Sequence, residues 1–329
     1  MSFWSGLAAV FASAPKPDVE VQRALLRVAE LVDPFLANTR AYERRMMAPV
    51  QHALAYCNRM VDALPGPLEI ERHAFAVNPL VHALFATSHD IDEMLGKSQA
   101  VRDYLDAVES HASESIFALF AARRMEKRQL GVEVHGETVQ SDVSQTVLYF
   151  ADHTLTEPAG SLDIARQRLR SATFDSLLKT FRTHLDELRN EREGLRSHIS
   201  AERGHLVQLR GKGEREEIFQ QTRRVETLDA RLRELAETLL PDAVAEALAE
   251  FLKTPETSIR LEPCSVKVDR MGVLARNDAE ALDADTLEFP ELISRDRRRY
   301  LVTLVRIDCE EARRAVREGI DRQRRYIVI

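Results

Sequence analysis

The sequence predicts a mainly α protein, built from an N-terminal helical bundle, a small α+β head and a projecting antiparallel coiled-coil hairpin. Three observations carry that fold class. The first is a heptad ladder that runs out and comes back: Leu178, Phe181, Leu185, Leu188, Arg192, Leu195, Ile199, Glu202, Leu206 and Leu209, then Ile218, Val225, Leu228, Leu232, Leu235 and Leu239. Spacings of three and four hold a stripe on one helix face, and two such stripes joined by a tight break bury each other. The glycines of Arg210-Gly211-Lys212-Gly213 supply the break. The second is composition: 12 glycines, 12 prolines, 6% aromatic and 30% charged residues suit long solvated helices. The third is a pair of β-branched segments, one before the ladder and one after it, whose strands are expected to join in the head.

In chain order, residues 1–16 form an amphipathic N-terminal segment and 17–130 the bundle. After Pro15-Lys16-Pro17, Asp18 caps a helix with Val21, Leu25, Val28 and Val32 at helical spacing up to Pro34. A second helix covers Asn38 to Leu64 and stops at Pro65-Gly66-Pro67. A third runs from Pro79 to Leu95 and a fourth from Ser98 to Gln129, with short polar or proline-marked connections. The head takes residues 131–160 and 255–329. Val132 and Val134 alternate with polar residues, and Gln145 to Phe150 is β-branched and aromatic.

The arm occupies 161–254: a long helix from Ser161 or Asp163, the hairpin, and a trailing helix opened by Pro241 and stopped at Pro255. Strands then return. Ile259 and Leu261 alternate with charge, as do Val266 and Val268. Asp269-Arg270-Met271-Gly272 reads as a turn, and Leu301 to Ile307 is the strongest strand pattern. A charged helix, Glu310 to Arg324, follows it. Each arm of about 30 residues would extend about 45 Å, longer than domain packing alone requires. Arg192 and Glu202 interrupt the outbound seam, either fixing register or snorkelling to water at its edge.

A net charge of -7 gives no global attraction to nucleic acid, so any polyanion site must be local. Cys57, Cys264 and Cys309 lack metal-ligand spacing and are odd in number, as reduced cytoplasmic thiols are. No run approaches the length of a transmembrane helix. The N-terminal apolar stretch has no Lys or Arg before it, unlike a secretory signal. Phe3, Leu7, Val10, Phe11 and Ala14 share one face of a short helix with Trp4 beside it. That face suits a membrane interface or a docked terminal helix, but its opposite side offers no cation to anionic lipid. An amphipathic N-terminus with a long coiled-coil hairpin resembles, in those two features, the phage-shock/vesicle-inducing membrane-remodelling family. The strand segments depart from that all-helical family.

No catalytic, cofactor or metal signature stands out. His82, His89, Asp90, Asp92 and Glu93 form the densest polar cluster, but His82 and His89 lie about 10 Å apart along a helix and read as structural. Asp152-His153 at a strand end has no assignable nucleophile. The arm tip, Arg210, Gly211, Lys212, Gly213 and Arg215, is the candidate partner-binding site, although it lacks the strand-loop-helix setting of a P-loop. Phe3, Trp4, Leu7 and Phe11 are the candidate membrane residues. Arg295, Arg297, Arg298 and Arg299 are the candidate polyanion residues, with the acidic residues between Asp278 and Glu291 and those of the following helix as competing ion-pair partners. The expectation is a cytoplasmic, non-enzymatic scaffold or adaptor that binds a protein through its arm and forms a homo-oligomer. A peripheral protein at the inner membrane and a nucleic-acid-associated factor are the alternatives.

Overall fold

The structure, a computed structural model, describes residues 19–107, 113–135, 138–269, 271–275, 284–295 and 298–326. The candidate membrane residues Phe3, Trp4, Leu7 and Phe11, and Arg297 of the polyanion set, lie outside the described residues. In chain order the elements are α1 (Val19–Leu31), a 3-10 turn (Pro34–Asn38), α2 (Tyr42–Asp62), β1 (Leu68–Glu69), α3 (Arg72–Val77), α4 (Pro79–Leu84), α5 (Ser88–Lys97) and α6 (Gln99–Asp106). Then come β2 (Ser115–His135), β3 (Thr138–Ala159), α7 (Leu162–Lys212), α8 (Arg215–Thr238), α9 (Pro241–Lys253), β4 (Ile259–Val268), β5 (Asp285–Ser294), β6 (Arg299–Asp308) and α10 (Cys309–Tyr326).

The mainly α expectation is overturned: the fold is mixed α/β, with a six-stranded sheet. The chain divides into two compact units, Met1–Ala55 with Phe174–Pro255, and Tyr56–Thr173 with Glu256–Ile329. The helix expected from Ser98 to Gln129 is α6 followed by β2, and the expected helix Pro79 to Leu95 is α4 and α5. The two short strands expected after Gly131 belong to one β2–β3 hairpin that runs from Ser115 to Ala159.

The misread strand has a physical cause. Ile116, Ala118, Phe120 and Ala122 enter one core, while Leu119 and Ala121 on the opposite face pack against another. A strand covered on both sides shows no apolar-polar alternation. Its continuation, Arg123 to Leu130, is rich in helix formers, and tertiary pairing overrides that preference.

In the sheet-bearing unit the strand order is β3-β2-β6-β5-β4, with β1 beside β6. All pairs are antiparallel except β1 with β6. β6 sits centrally and buries Leu301 to Val305 and Ile307. Gly66, at φ 112°, lets the chain pass β6 closely, because a Cβ there would stand 2.4 Å from the Leu304 carbonyl oxygen. β3 carries an extra residue at three bulges against β2, and Asp142, Asp152 and Glu157 adopt φ of 61°, 54° and 52° there. Such bulges bend a strand and raise its twist.

The sheet curls until residues 271–275 bridge its two edges, Leu274 pairing with Val268 of β4 and Val273 with Val147 of β3. The expected turn at Asp269 is present, with the Gly272 N–H donating to the Asp269 carbonyl at 3.0 Å. Helices α3 to α6 and α10 contribute to the core that holds Phe120, Phe150 and Phe289. The opposite sheet face packs on Val61, Leu64 and Leu169.

The other unit contains α1, the N-terminal part of α2, α7 from Phe174, α8 and α9. Its core draws Val21, Leu25 and Val28 from α1, Met46 and Val50 from α2, Leu177 and Leu178 from α7, and Leu248 from α9. The Tyr42 hydroxyl donates to the Leu25 carbonyl at 2.9 Å, tying α2 to α1.

Candidate functional site

In the distal part of the helical unit α7 and α8 form an antiparallel helical hairpin whose spacing is compatible with a coiled coil. Taking Leu178 as heptad position a, the outbound seam alternates a and d through Leu209, and the return seam does the same from Ile218 through Leu239. Every seam residue is buried or half-buried. Antiparallel helices bring like flanking positions together, and the ion pairs obey this. Arg203 and Asp229, both at e, pair at 2.8 Å, and Glu191 and Arg231, both at g, pair at 3.1 Å.

The two polar seam residues behave differently. Arg192 turns to its neighbour Glu193 at 2.9 Å, at the seam's edge. Glu202 stays in the seam, where Gln221 Nε2 donates to its carboxylate at 2.6 Å. Its other oxygen meets His198 at 2.9 Å and Arg224 at 3.1 Å. The Gln221 hydrogen bond leads these contacts in holding the Glu202 carboxyl below its usual range.

At the tip, Gly211 does not break the helix: α7 runs to Lys212. Gly213 ends it, donating its N–H to the Leu209 carbonyl at 2.6 Å, and Glu214 caps α8. The amides of Gly211 and Lys212 belong to helix bonding, so the tip forms no amide cradle for phosphate. Arg210, Gly211 and Arg215 are exposed and Gly213 is half-buried.

Sequence reasoning missed two apolar residues beside the tip. Val207 is 69% exposed and Phe219 is 57% exposed, and both follow a seam residue at position b. In an antiparallel pair these positions lie on the same side of the hairpin. The Arg223 guanidinium stands 5.9 Å from the Phe219 ring centroid. The available signal was an apolar residue one step off each stripe.

The remaining sequence candidates lie in the sheet-bearing unit. Arg299 of the polyanion set binds the buried Glu291 at 3.1 Å, while Arg295 and Arg298 are exposed. Asp92 is buried against Arg72, Asp90 accepts the Thr87 N–H at 2.8 Å, and His82 packs on the Phe75 ring. His153 donates Nε2–H to the Leu84 carbonyl at 2.7 Å and stacks on Phe85, and burial lowers its pKa. Asp152 pairs with Arg123. Among the described residues, no group of His, Cys, Asp and Glu could hold a metal ion. None of their helices is long and apolar enough to cross a membrane.

Another group came from distant sequence positions. Arg124 Nη1 on β2 reaches Glu291 on β5 at 2.8 Å and Cys264 on β4 at 3.3 Å. Its chemistry is charge compensation: two guanidiniums hold one carboxylate that is 2% exposed.

No family model, curated protein or solved structure matches the chain.

Proposed function

We propose that the chain is a non-enzymatic adaptor that holds a protein partner at the distal end of its coiled-coil hairpin. The observation that carries this reading is the exposure of Val207 and Phe219 on one side of a hairpin whose seam residues are already used. Aromatic and aliphatic side chains beside arginine are the composition of an interface centre. The free thiols, two of them buried, fit a cytoplasmic setting.

The experiment is chemical cross-linking in the native host, followed by purification of the full chain and of its Val207→Ser/Phe219→Ser variant. Loss of a specific cross-linked protein from the variant supports the adaptor. An unchanged set of cross-linked proteins overturns it.

A further inference from the structure

The outbound helix carries a second pattern beside its seam. Position e holds Arg182, Arg189, Arg196, Arg203 and Arg210, one arginine in each successive heptad, preceded at the same position by Asp175. Position e flanks the seam, so these six side chains line one edge of α7.

The fold shows what the proximal half of that row grips. Arg27 of α1 donates to Asp175 through Nε at 3.0 Å and Nη2 at 2.7 Å. Arg182 Nη1 donates to the Val32 carbonyl at 3.1 Å and the Leu31 carbonyl at 3.4 Å, at the carbonyl-rich end of α1. Arg189 pairs with Asp33. Contacts that advance together along both helices make α1 parallel to α7. Its apolar residues Val21, Leu25 and Val28 are buried. The row thus seats a 13-residue amphipathic helix whose C-terminal end offers carbonyls and a carboxylate.

Beyond Asp33 the chain turns away into Pro34–Asn38, and the row continues. Arg196 and Arg203 are 55% and 61% exposed and rest on Glu193 and Asp229 of the hairpin itself. Exposed pairs of this kind contribute little, so a new carboxylate can replace either partner at little cost. Arg210 makes no ion pair among the described residues. Val207 lies between Arg203 and Arg210 on the same side, with Phe219 opposite on α8.

We infer that this distal half-row receives an amphipathic helix of a partner protein, lying parallel to α7 as α1 does. Its apolar side covers Val207 and Phe219, and the carboxylates and free carbonyls at its C-terminal end meet Arg203 and Arg210. From Arg196 to Arg210 the row advances 14 residues, about 21 Å, close to the length of a helix like α1. The inference rests on the adaptor reading and names the class of partner.

The probe is a fluorescent peptide of residues 19–38, the helix and acidic turn already seated on the same row. It is titrated to millimolar concentration against the intact chain and followed by anisotropy. Saturable binding is expected, weakened about tenfold or more by Arg203→Ala/Arg210→Ala, and likewise by Val207→Ser/Phe219→Ser. An Asp33→Asn peptide should bind more weakly, and added salt should weaken binding further. All four side chains are exposed, so circular dichroism should show both variants folded. Binding indifferent to both variants, or no binding, overturns the inference. If the peptide fails while the tip variant still loses its cross-linked protein, the adaptor reading survives and the helix assignment falls. Two other results would reassign the face and overturn the proposal. One is self-association of the chain abolished by Val207→Ser/Phe219→Ser, which points to a second copy. The other is binding to phosphatidylglycerol vesicles abolished by Arg203→Ala/Arg210→Ala.

Discussion

Gln221 and Glu202 meet inside the hairpin seam, each from a d position, with Gln221 Nε2 also donating to the Glu202 backbone carbonyl at 3.1 Å. A polar pair where leucines would pack costs stability and specifies which layers meet, since a slipped register places a carboxylate against an apolar side chain. Gln221→Leu should therefore lower the melting temperature, whereas Glu202→Leu/Gln221→Leu should raise it above the parent's. The pH dependence has a definite sign. The folded Glu202 pKa is depressed, so its contribution is present above the ordinary value of 4.5 and is lost as pH falls through the lower folded value. Thermal melts at neutral and acidic pH should show a steeper acid loss in the parent than in the double variant. Equal losses would assign no linkage to Glu202.

Gly204 within α7 and Gly213 just past its end should respond in opposite directions. Gly204 is helical and exposed, and a Cβ there would meet nothing within 4 Å. Gly204→Ala should stabilise by roughly 0.5–1 kcal/mol through the entropy of the unfolded chain. At Gly213 a Cβ would stand 2.8 Å from the Leu209 carbonyl oxygen, so Gly213→Ala should destabilise the turn. Chemical denaturation of the two variants checks both signs.

The helical hairpin was legible because heptad spacing writes a buried helix face into a local period. Leu178 through Leu239 carry that period, and the e-position arginines repeat at seven residues in plain view. The sheet was not legible to the same degree. β2 hides its alternation by burying both faces, and its partner β6 lies more than 170 residues away in sequence. Arg124 and Glu291, 167 residues apart, meet only because β2, β6 and β5 lie side by side in the curled sheet. Val207 and Phe219 fall between these cases. Their sequence positions were visible, but their significance depends on exposure, which the period alone does not give.

Removing Arg124 should uncover the cost of the buried carboxylate. Glu291 is 2% exposed, and Arg124→Ala would leave it with Arg299 alone. Breaking a buried pair from one side typically costs about 3–5 kcal/mol, and the remaining guanidinium places this case near the lower end. Arg124→Ala/Glu291→Leu should recover most of that loss, because no charge then stays buried. Urea denaturation of the two variants makes the comparison, and equal stability of both would show that the carboxylate is not what the arginine compensates.

The three thiols should react in an order set by burial. Cys57 is 0% exposed and Cys309 is 2% exposed, while Cys264 is half-exposed beside Arg124. Burial pushes the Cys57 thiol up to about 12 from an ordinary 9.0, and burial also raises the thiols of Cys264 and Cys309. The thiolate is the reacting form, so native chain at neutral pH should be alkylated at Cys264 first and more slowly than a free cysteine. All three should react after denaturation. For Cys57 the neutral thiol is favoured in the folded state, so its contribution to stability is complete below pH 9.0 and declines as pH rises towards 12. Cys57→Ala should remove that part of the alkaline decline while leaving a cavity that lowers stability at neutral pH. Mass-spectrometric mapping of the alkylated peptides tests the order, and first modification at Cys57 would contradict its burial.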